Sequence, residues 1–265
     1  MLYKYQLIYK KKFFSEILNR YQYNINSGEI VGGIIKYKEI NGLLVDTGDK
    51  ISSYLPFEEI TIEYHKKNYS FNDLLYMKRD FFLITHKNYI KKSILSIKRL
   101  EYMRAWKRIK QIYLEDIIFK LPIQYINKGG IITYLEGLQS FIPNSCTDGL
   151  YNQKLKYTKN IYCKLLFINE NKNEIILSQK SALLHLSKHK FRLNELIYGK
   201  IIVIQNYGIF VDIYGILGLL HISEISCKYI NDIHNIFLLK DLIKVKIIHI
   251  NINQGRISLS TKKLK

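Results

Sequence analysis

A short hydrophobic segment recurs three times along this chain, and its even spacing limits the folds that the chain can adopt. The C-terminal copy reads RISLSTK, and the two earlier copies read ILSIK and ILSQK. Their central residues, Leu95, Leu177 and Leu259, lie 82 and 82 residues apart. Because self-similarity at a fixed period is the signature of a repeat architecture, we predict three copies of one unit of about 70 residues.

Each copy also has an opening glycine followed by a proline or histidine. The distances are 14, 13 and 13 residues, from Gly42 to Pro56, Gly130 to Pro143 and Gly208 to His221. In the third copy, alternation and turn residues predict strands at 197–204, 208–213, 216–221, 242–251 and 256–260, with a turn at 222–226 and then a loop to about 240. Five short strands with an insertion after the third are typical of the OB-fold. The predicted fold class is all-β with helical linkers, in three tandem OB-fold five-stranded barrels.

The connections between the copies are predicted to be helical. The sequence KRLEYMRAWKRIKQIYLE places Tyr102, Trp106, Ile109 and Tyr113 at helical spacing, with basic residues between them. Such a helix is also typical of membrane-surface and calmodulin-binding segments, but its place between two copies favours a spacer. The predicted organisation is an N-terminal segment at 1–23, repeats at 24–99, 116–181 and 194–265, and linkers at 100–115 and 182–193.

Charge indicates the class of partner. The chain has 41 Lys and Arg against 22 Asp and Glu, a net charge of +19, which favours a polyanion or, alternatively, an anionic membrane surface. No uncharged apolar run reaches the roughly 18 residues of a membrane span. Residues 1–23 lack the apolar core of a signal peptide and are expected to belong to the mature protein. Ile, Lys, Asn and Tyr are abundant, and their A/T-rich codons favour an organelle-like genome.

The residues that could carry catalysis or hold a metal are not patterned to do so. Cys146, Cys163 and Cys227 are widely separated, which argues against a disulfide framework or a zinc site and fits a reducing compartment. His185 and His189 lack the glutamate of a His-Glu-x-x-His motif, and no serine or cysteine occupies a nucleophile elbow. We expect no enzymatic activity, no metal and no cofactor.

The segment YGIFVDI in the third copy predicts a platform for nucleic acid. Side chains of a strand alternate between faces, so Ile209, Val211 and Ile213 are predicted to face the core. Phe210 then points outwards, and Tyr207 lies just before it. An outward aromatic on a strongly basic protein favours stacking against an exposed base. The alternatives are cover of a hydrophobic rim and packing on the preceding helix.

Longer segments resemble a known family. GKIIVIQNYGIFVDIYGILGLLHISEIS, followed by LIKVKIIHININQGRISLSTK, resembles the RNA-binding repeat of the ribosomal protein S1 family. KRLEYMRAWKRIKQ and NKGGIITYLEGLQSFIPNS are similar to the short, three-repeat members of cyanobacteria and plastids.

This resemblance implies a protein of the small ribosomal subunit, with ribosomal proteins and rRNA as partners and no membrane. It implies binding of single-stranded RNA, in particular mRNA, with little sequence specificity, in support of translation initiation. The implied location is the chloroplast stroma, on ribosomes, or otherwise the bacterial cytoplasm. Because ribonucleases and polynucleotide phosphorylases carry the same repeat, an accessory RNA-binding subunit of a processing or degradation complex is the alternative.

The resemblance also implies a set of RNA-binding residues in the third copy. Carried over by position, they are Tyr207, Phe210, His221, Asn251 and Arg256. The family more often has Asp at the position of Asn251. Lys244 and Lys246 are added as basic residues of the same copy, although a solvated face also accounts for them.

The three copies are not equivalent at the positions of Tyr207 and Phe210. The first copy has Asn41 and Leu44 there, and the second has Gly129 and Ile132, so neither is predicted to carry the aromatic platform. Residues 24–97 hold ten basic and nine acidic residues, residues 117–180 hold eight and four, and residues 196–265 hold nine and four. We predict that copy three binds RNA and copy one docks protein. Copy two is predicted to add phosphate contacts through Lys128, Lys154, Lys156 and Lys159.

Overall fold

The computed structural model describes residues 26–48, 51–60, 74–85, 93–147, 160–226, 233, 236–262 and 264. Lys154, Lys156 and Lys159 therefore lie outside the described residues. The chain divides into two compact units, Met1–Arg104 and Ala105–Lys265. The described residues of these units form three successive barrel-like sheets, which confirms the predicted all-β fold of three OB-type repeats.

The first repeat is a closed barrel of five strands. They are β1 (Ile30–Lys38), β2 (Gly42–Asp46), β3 (Ser53–Pro56), β4 (Lys78–Thr85) and β5 (Ile94–Ser96). Their order around the barrel is β1-β2-β3-β5-β4, and a 3-10 turn, Phe57–Glu59, follows the third strand. Helix α1 (Lys98–Leu114) comes next in the chain.

The second repeat has the same connectivity, but its first strand is broken in two. Its strands are β6 (Ile118–Pro122), β7 (Tyr125–Ile126), β8 (Gly130–Leu135), β9 (Leu138–Pro143), β10 (Asn160–Asn169) and β11 (Glu174–Ser178). They are ordered β6-β10-β11-β9-β8-β7. The break follows Pro122, which has no amide hydrogen for the ladder, and Thr133 Oγ1 donates to its carbonyl at 2.8 Å. The expected five strands are therefore six in this copy.

The third repeat is again a closed barrel, preceded by helix α2 (Gln179–Leu186). Its strands are β12 (Leu196–Gln205), β13 (Gly208–Ile213), β14 (Ile216–His221), β15 (Leu242–Asn251) and β16 (Arg256–Ser260). Their order is β12-β13-β14-β16-β15. These bounds agree with the predicted strands to within one residue at each end.

The segment that revealed the repeat is the last strand of each sheet. Leu95, Leu177 and Leu259 are all 0% exposed and lie on β5, β11 and β16. Each of these strands pairs in parallel with the third strand of its repeat, β3, β9 or β14. The constant spacing of the leucines therefore reflects one position in three copies of the same core.

Candidate nucleic-acid interface

An aromatic pair stands on the outer surface of the third repeat. Ile209, Val211 and Ile213 are each 0% exposed on β13, so Phe210 points away from the core as predicted. Tyr207, in the turn before β13, is 51% exposed. The two ring centroids lie 6.3 Å apart at 88°, the edge-to-face geometry that aromatic pairs favour. The two rings therefore pack against each other while both remain at the surface.

The backbone of this turn is held close to the end of β14. Gly208 pairs with His221, and the amide of Ile222 donates to the carbonyl of Tyr207 at 3.0 Å. A Cβ built on Gly208 would lie 2.5 Å from the carbonyl oxygen of Leu220. Only glycine allows this approach, and the approach places the histidine beside the aromatic pair.

The ring of His221 is oriented by its neighbour Ser223. The amide of Ser223 donates to His221 Nδ1 at 3.3 Å, and the Oγ of Ser223 lies 2.8 Å from the same nitrogen. A ring nitrogen that accepts from an amide carries no hydrogen, so Nε2 holds the proton in the neutral ring. The exposed side chain therefore presents an N–H donor at the surface.

Asn251 and Arg256 face each other across the hairpin that joins β15 to β16. The Oδ1 atom of Asn251 accepts from the amide of Gln254 at 3.0 Å, so this side chain stabilises the turn. Arg256 is exposed, since Ile257 and Leu259 take the buried positions of β16. Its guanidinium is a donor on the same outer surface, two strands from β13.

Sheet pairing extends the aromatic pair into a row that the sequence did not indicate. Phe210 pairs with Val203 on β12 and with Leu219 on β14. Leu219 lies beside Ser258, which pairs with His249 on β15. The exposed His249 was missed because a bulge between Ile247 and His249 shifts the register, and simple alternation fails at a bulge.

The two lysines of the predicted site lie elsewhere on β15. Lys244 pairs with Tyr198, and Lys246 pairs with Leu196, both on β12. Lys246 is five residues from Asn251 along the strand, which corresponds to about 17 Å. The structure thus groups Tyr207, Phe210 and His221 at one end of the outer face, and places the two lysines apart from the Asn251–Arg256 pair.

Two further findings concern metals and membranes. Among the described residues, no group of three or more His, Cys, Asp or Glu is placed to hold a metal ion. In the same part of the chain, no helix is long and apolar enough to cross a membrane.

An outer aromatic pair on a five-stranded barrel, with a histidine on the adjoining strand and an arginine two strands away, is typical of an S1-type OB-fold repeat protein. The family model for the S1 RNA binding domain matches residues 190–262, which is the third repeat. Small ribosomal subunit protein bS1c of Pyropia yezoensis is 41% identical over 95% of this chain and 95% of its own. Small ribosomal subunit protein bS1A of Synechocystis sp. is 36% identical over 95% of this chain and 76% of its own. Small ribosomal subunit protein bS1c of Spinacia oleracea is 34% identical over 95% of this chain and 61% of its own. The chain belongs to the bS1 family of small ribosomal subunit proteins.

Proposed function

We propose that this protein works on the small ribosomal subunit, binds single-stranded mRNA with little sequence specificity, and supports translation initiation. The observation that carries the proposal is the edge-to-face pair on the outer surface of the third barrel, formed by the exposed Tyr207 and the half-buried Phe210. Every nucleobase has a flat face, so stacking on such rings tolerates any sequence. A protein with a net charge of +19 attracts the phosphate chain that carries those bases.

The residues around the pair have separable roles in this proposal. Tyr207 and Phe210 stack on bases, and each stacked base contributes about 1–3 kcal/mol. His221 donates from Nε2 to a phosphate or base oxygen, and Arg256 neutralises a phosphate two strands away. Binding then depends on salt through the phosphate contacts and on ring area through the stacking contacts, and no chemical reaction is required.

The first repeat is assigned to protein docking. Its charges nearly balance, with ten basic and nine acidic residues over 24–97, so it has little attraction for a polyanion. The relatives named bS1c come from Pyropia yezoensis and Spinacia oleracea, and the relative named bS1A comes from Synechocystis sp.. We assign the chain to plastid ribosomes in the stroma, or otherwise to ribosomes of a bacterial cytoplasm.

The test is the affinity of the full chain for an oligouridine. A Tyr207→Ala/Phe210→Ala variant is expected to bind at least about fivefold more weakly, since the loss of one stacked base is about 1 kcal/mol or more. The slope of log affinity against log salt concentration (the salt slope) should not change in this variant. In Arg256→Gln, the salt slope should fall by the amount that corresponds to about one phosphate contact. Tyr37→Ala, which removes an exposed ring from the first repeat, is the control and should bind like the wild type.

Unchanged affinity in a folded Tyr207→Ala/Phe210→Ala variant would refute the proposal. Sedimentation of a cell extract tests whether the protein is bound to the small ribosomal subunit. Migration with small ribosomal subunits supports the assignment, and migration with an RNA-degrading complex instead contradicts it.

A further inference from the structure

The second repeat carries its own row of apolar side chains on the outer surface. Tyr125 on β7 pairs with Ile132 on β8, and Ile132 pairs with Phe141 on β9. The row continues through Ile176 on β11 to Phe167 on β10. All five side chains are exposed or half-buried. One continuous apolar row therefore crosses the face of this sheet.

This row occupies the place that Phe210 marks in the third repeat. Ile132 has the position of Phe210, and its two neighbours, Tyr125 and Phe141, have the positions of the aliphatic residues that flank Phe210. The second copy was predicted to lack an aromatic platform because Gly129 and Ile132 replace the two aromatic residues of one strand. The structure shows that aromatic rings come instead from the two adjoining strands.

The ring of Phe141 lies next to the two glycines that correspond to Tyr207 and Gly208 of the third repeat. A Cβ built on Gly130 would lie 2.9 Å from Phe141 Cζ, and one built on Gly129, the position of Tyr207, would lie 3.7 Å from it. A structural role, in which the Phe141 ring covers the backbone of Gly129 and Gly130, would by itself explain why Phe141 is half-buried. It does not explain Tyr125, which is 66% exposed at the end of the same row.

The charge around this row favours a polyanion. Lys128 lies in the loop between β7 and β8, and Lys120 lies on β6; neither forms an ion pair with a described residue. Three of the four acidic side chains between Asp116 and Lys180 that the structure describes are engaged by cations. These pairs are Asp116 with Lys164, Glu136 with Arg108, and Glu170 with Lys110. The charge left at the surface is therefore positive.

The first repeat provides the comparison. It has an equivalent row of Tyr37, Leu44 and Tyr54, and Tyr37 is 66% exposed, like Tyr125. Residues 24–97 hold ten basic and nine acidic residues, against eight and four over 117–180. The two rows are alike in shape and differ in the charge that surrounds them.

We propose that Tyr125, Ile132 and Phe141 form a second base-stacking surface for single-stranded RNA, with Lys128 as a phosphate contact at its edge. This proposal rests on the proposed function and extends it from one repeat to two. Both repeats lie in the same compact unit, where Ser181 Oγ of α2 donates to the carbonyl of Ile252 at 2.8 Å. An RNA strand bound by one repeat then meets the second surface at a high effective concentration.

The test uses the full chain and an oligouridine of about 30 nucleotides, which is long enough for two sites of about 4–16 nucleotides each. A Tyr125→Ala/Phe141→Leu variant should bind at least about fivefold more weakly, with an unchanged salt slope. Leucine keeps cover over Gly130 while it removes the flat ring. Tyr125→Ala alone changes only an exposed side chain and should show part of the same loss. Tyr37→Ala is the matched control and should bind like the wild type.

The outcomes separate this proposal from the proposed function. If Tyr125→Ala and Tyr125→Ala/Phe141→Leu both bind like the wild type while Tyr207→Ala/Phe210→Ala binds weakly, the second surface is refuted and the proposed function stands. If neither double variant loses affinity, the proposed function itself fails. If Tyr37→Ala weakens binding as much as Tyr125→Ala, the assignment to the second repeat by charge is overturned.

Discussion

Gly255 makes a steric prediction about how the third barrel meets the helix before it. Its φ is +64°, and a Cβ built there would lie 2.5 Å from the carbonyl carbon of Lys180 and 2.5 Å from the amide nitrogen of Ser181. Backbone atoms cannot rotate out of the way, so Gly255→Ala must displace either α2 or the β15–β16 turn. Such a movement lengthens the 2.8 Å bond from Ser181 Oγ to the carbonyl of Ile252.

The size of the effect follows from three contributions. A left-handed φ costs alanine about 1–2 kcal/mol, a lost hydrogen bond about 0.5–1.5 kcal/mol, and overpacking about 1–3 kcal/mol. Alanine also restricts the unfolded chain, which offsets about 0.4–1 kcal/mol. Gly215→Ala is the matched control, because Gly215 has a φ of +86° with nothing within 4 Å of a built Cβ. We expect a net loss of about 3 kcal/mol for Gly255→Ala and about 1 kcal/mol for Gly215→Ala.

Hydrogen exchange followed by mass spectrometry measures both effects. In Gly255→Ala, peptides from β15, β16 and α2 should exchange about 100-fold faster than in the wild type, because 1.4 kcal/mol is tenfold. In Gly215→Ala, peptides of the third barrel should exchange about fivefold faster than in the wild type. The increase in the exchange rate of α2 should be smaller than that of the barrel. Equal effects of the two substitutions, or full protection of α2 in Gly255→Ala, would show that the predicted contact is absent.

Two further predictions concern titratable groups. Burial raises the pKa of the Cys163 thiol to about 12, so iodoacetamide at about pH 8 should alkylate the half-buried Cys146 before Cys163; faster labelling of Cys163 than of Cys146 by peptide mass spectrometry would contradict this. The ammonium of Lys36, 2.5 Å away, and then the amide of Gly48 lower the pKa of Asp46. The stability that this pair contributes is present above the unfolded pKa and is lost as pH falls through the lower native value. Lys36→Met should therefore raise the Asp46 pKa in a carboxyl NMR titration, and an unchanged pKa would refute the pairing.

Local patterns predicted much of the fold because they depend on neighbours in the chain. Alternation along β13 placed Phe210 outside and Val211 inside, and the turn residues set the strand bounds of the third repeat. The break after Pro122 was not predicted, since the other two copies keep the first strand whole. The bulge before His249 was also missed, because nothing local marks where a register shifts.

The sequence pattern alone was sufficient to predict the number of repeats, the inward leucine of each and the outward aromatic pair of the third copy. Each of these depends on period and alternation, which are properties of a single strand. Which strands adjoin is decided by the folded sheet, whose pairing places Tyr125 and Phe141 on either side of Ile132. It also sets Gly255 against the backbone of Lys180. Such contacts join residues that lie far apart in sequence, so they exist only once the barrel has formed.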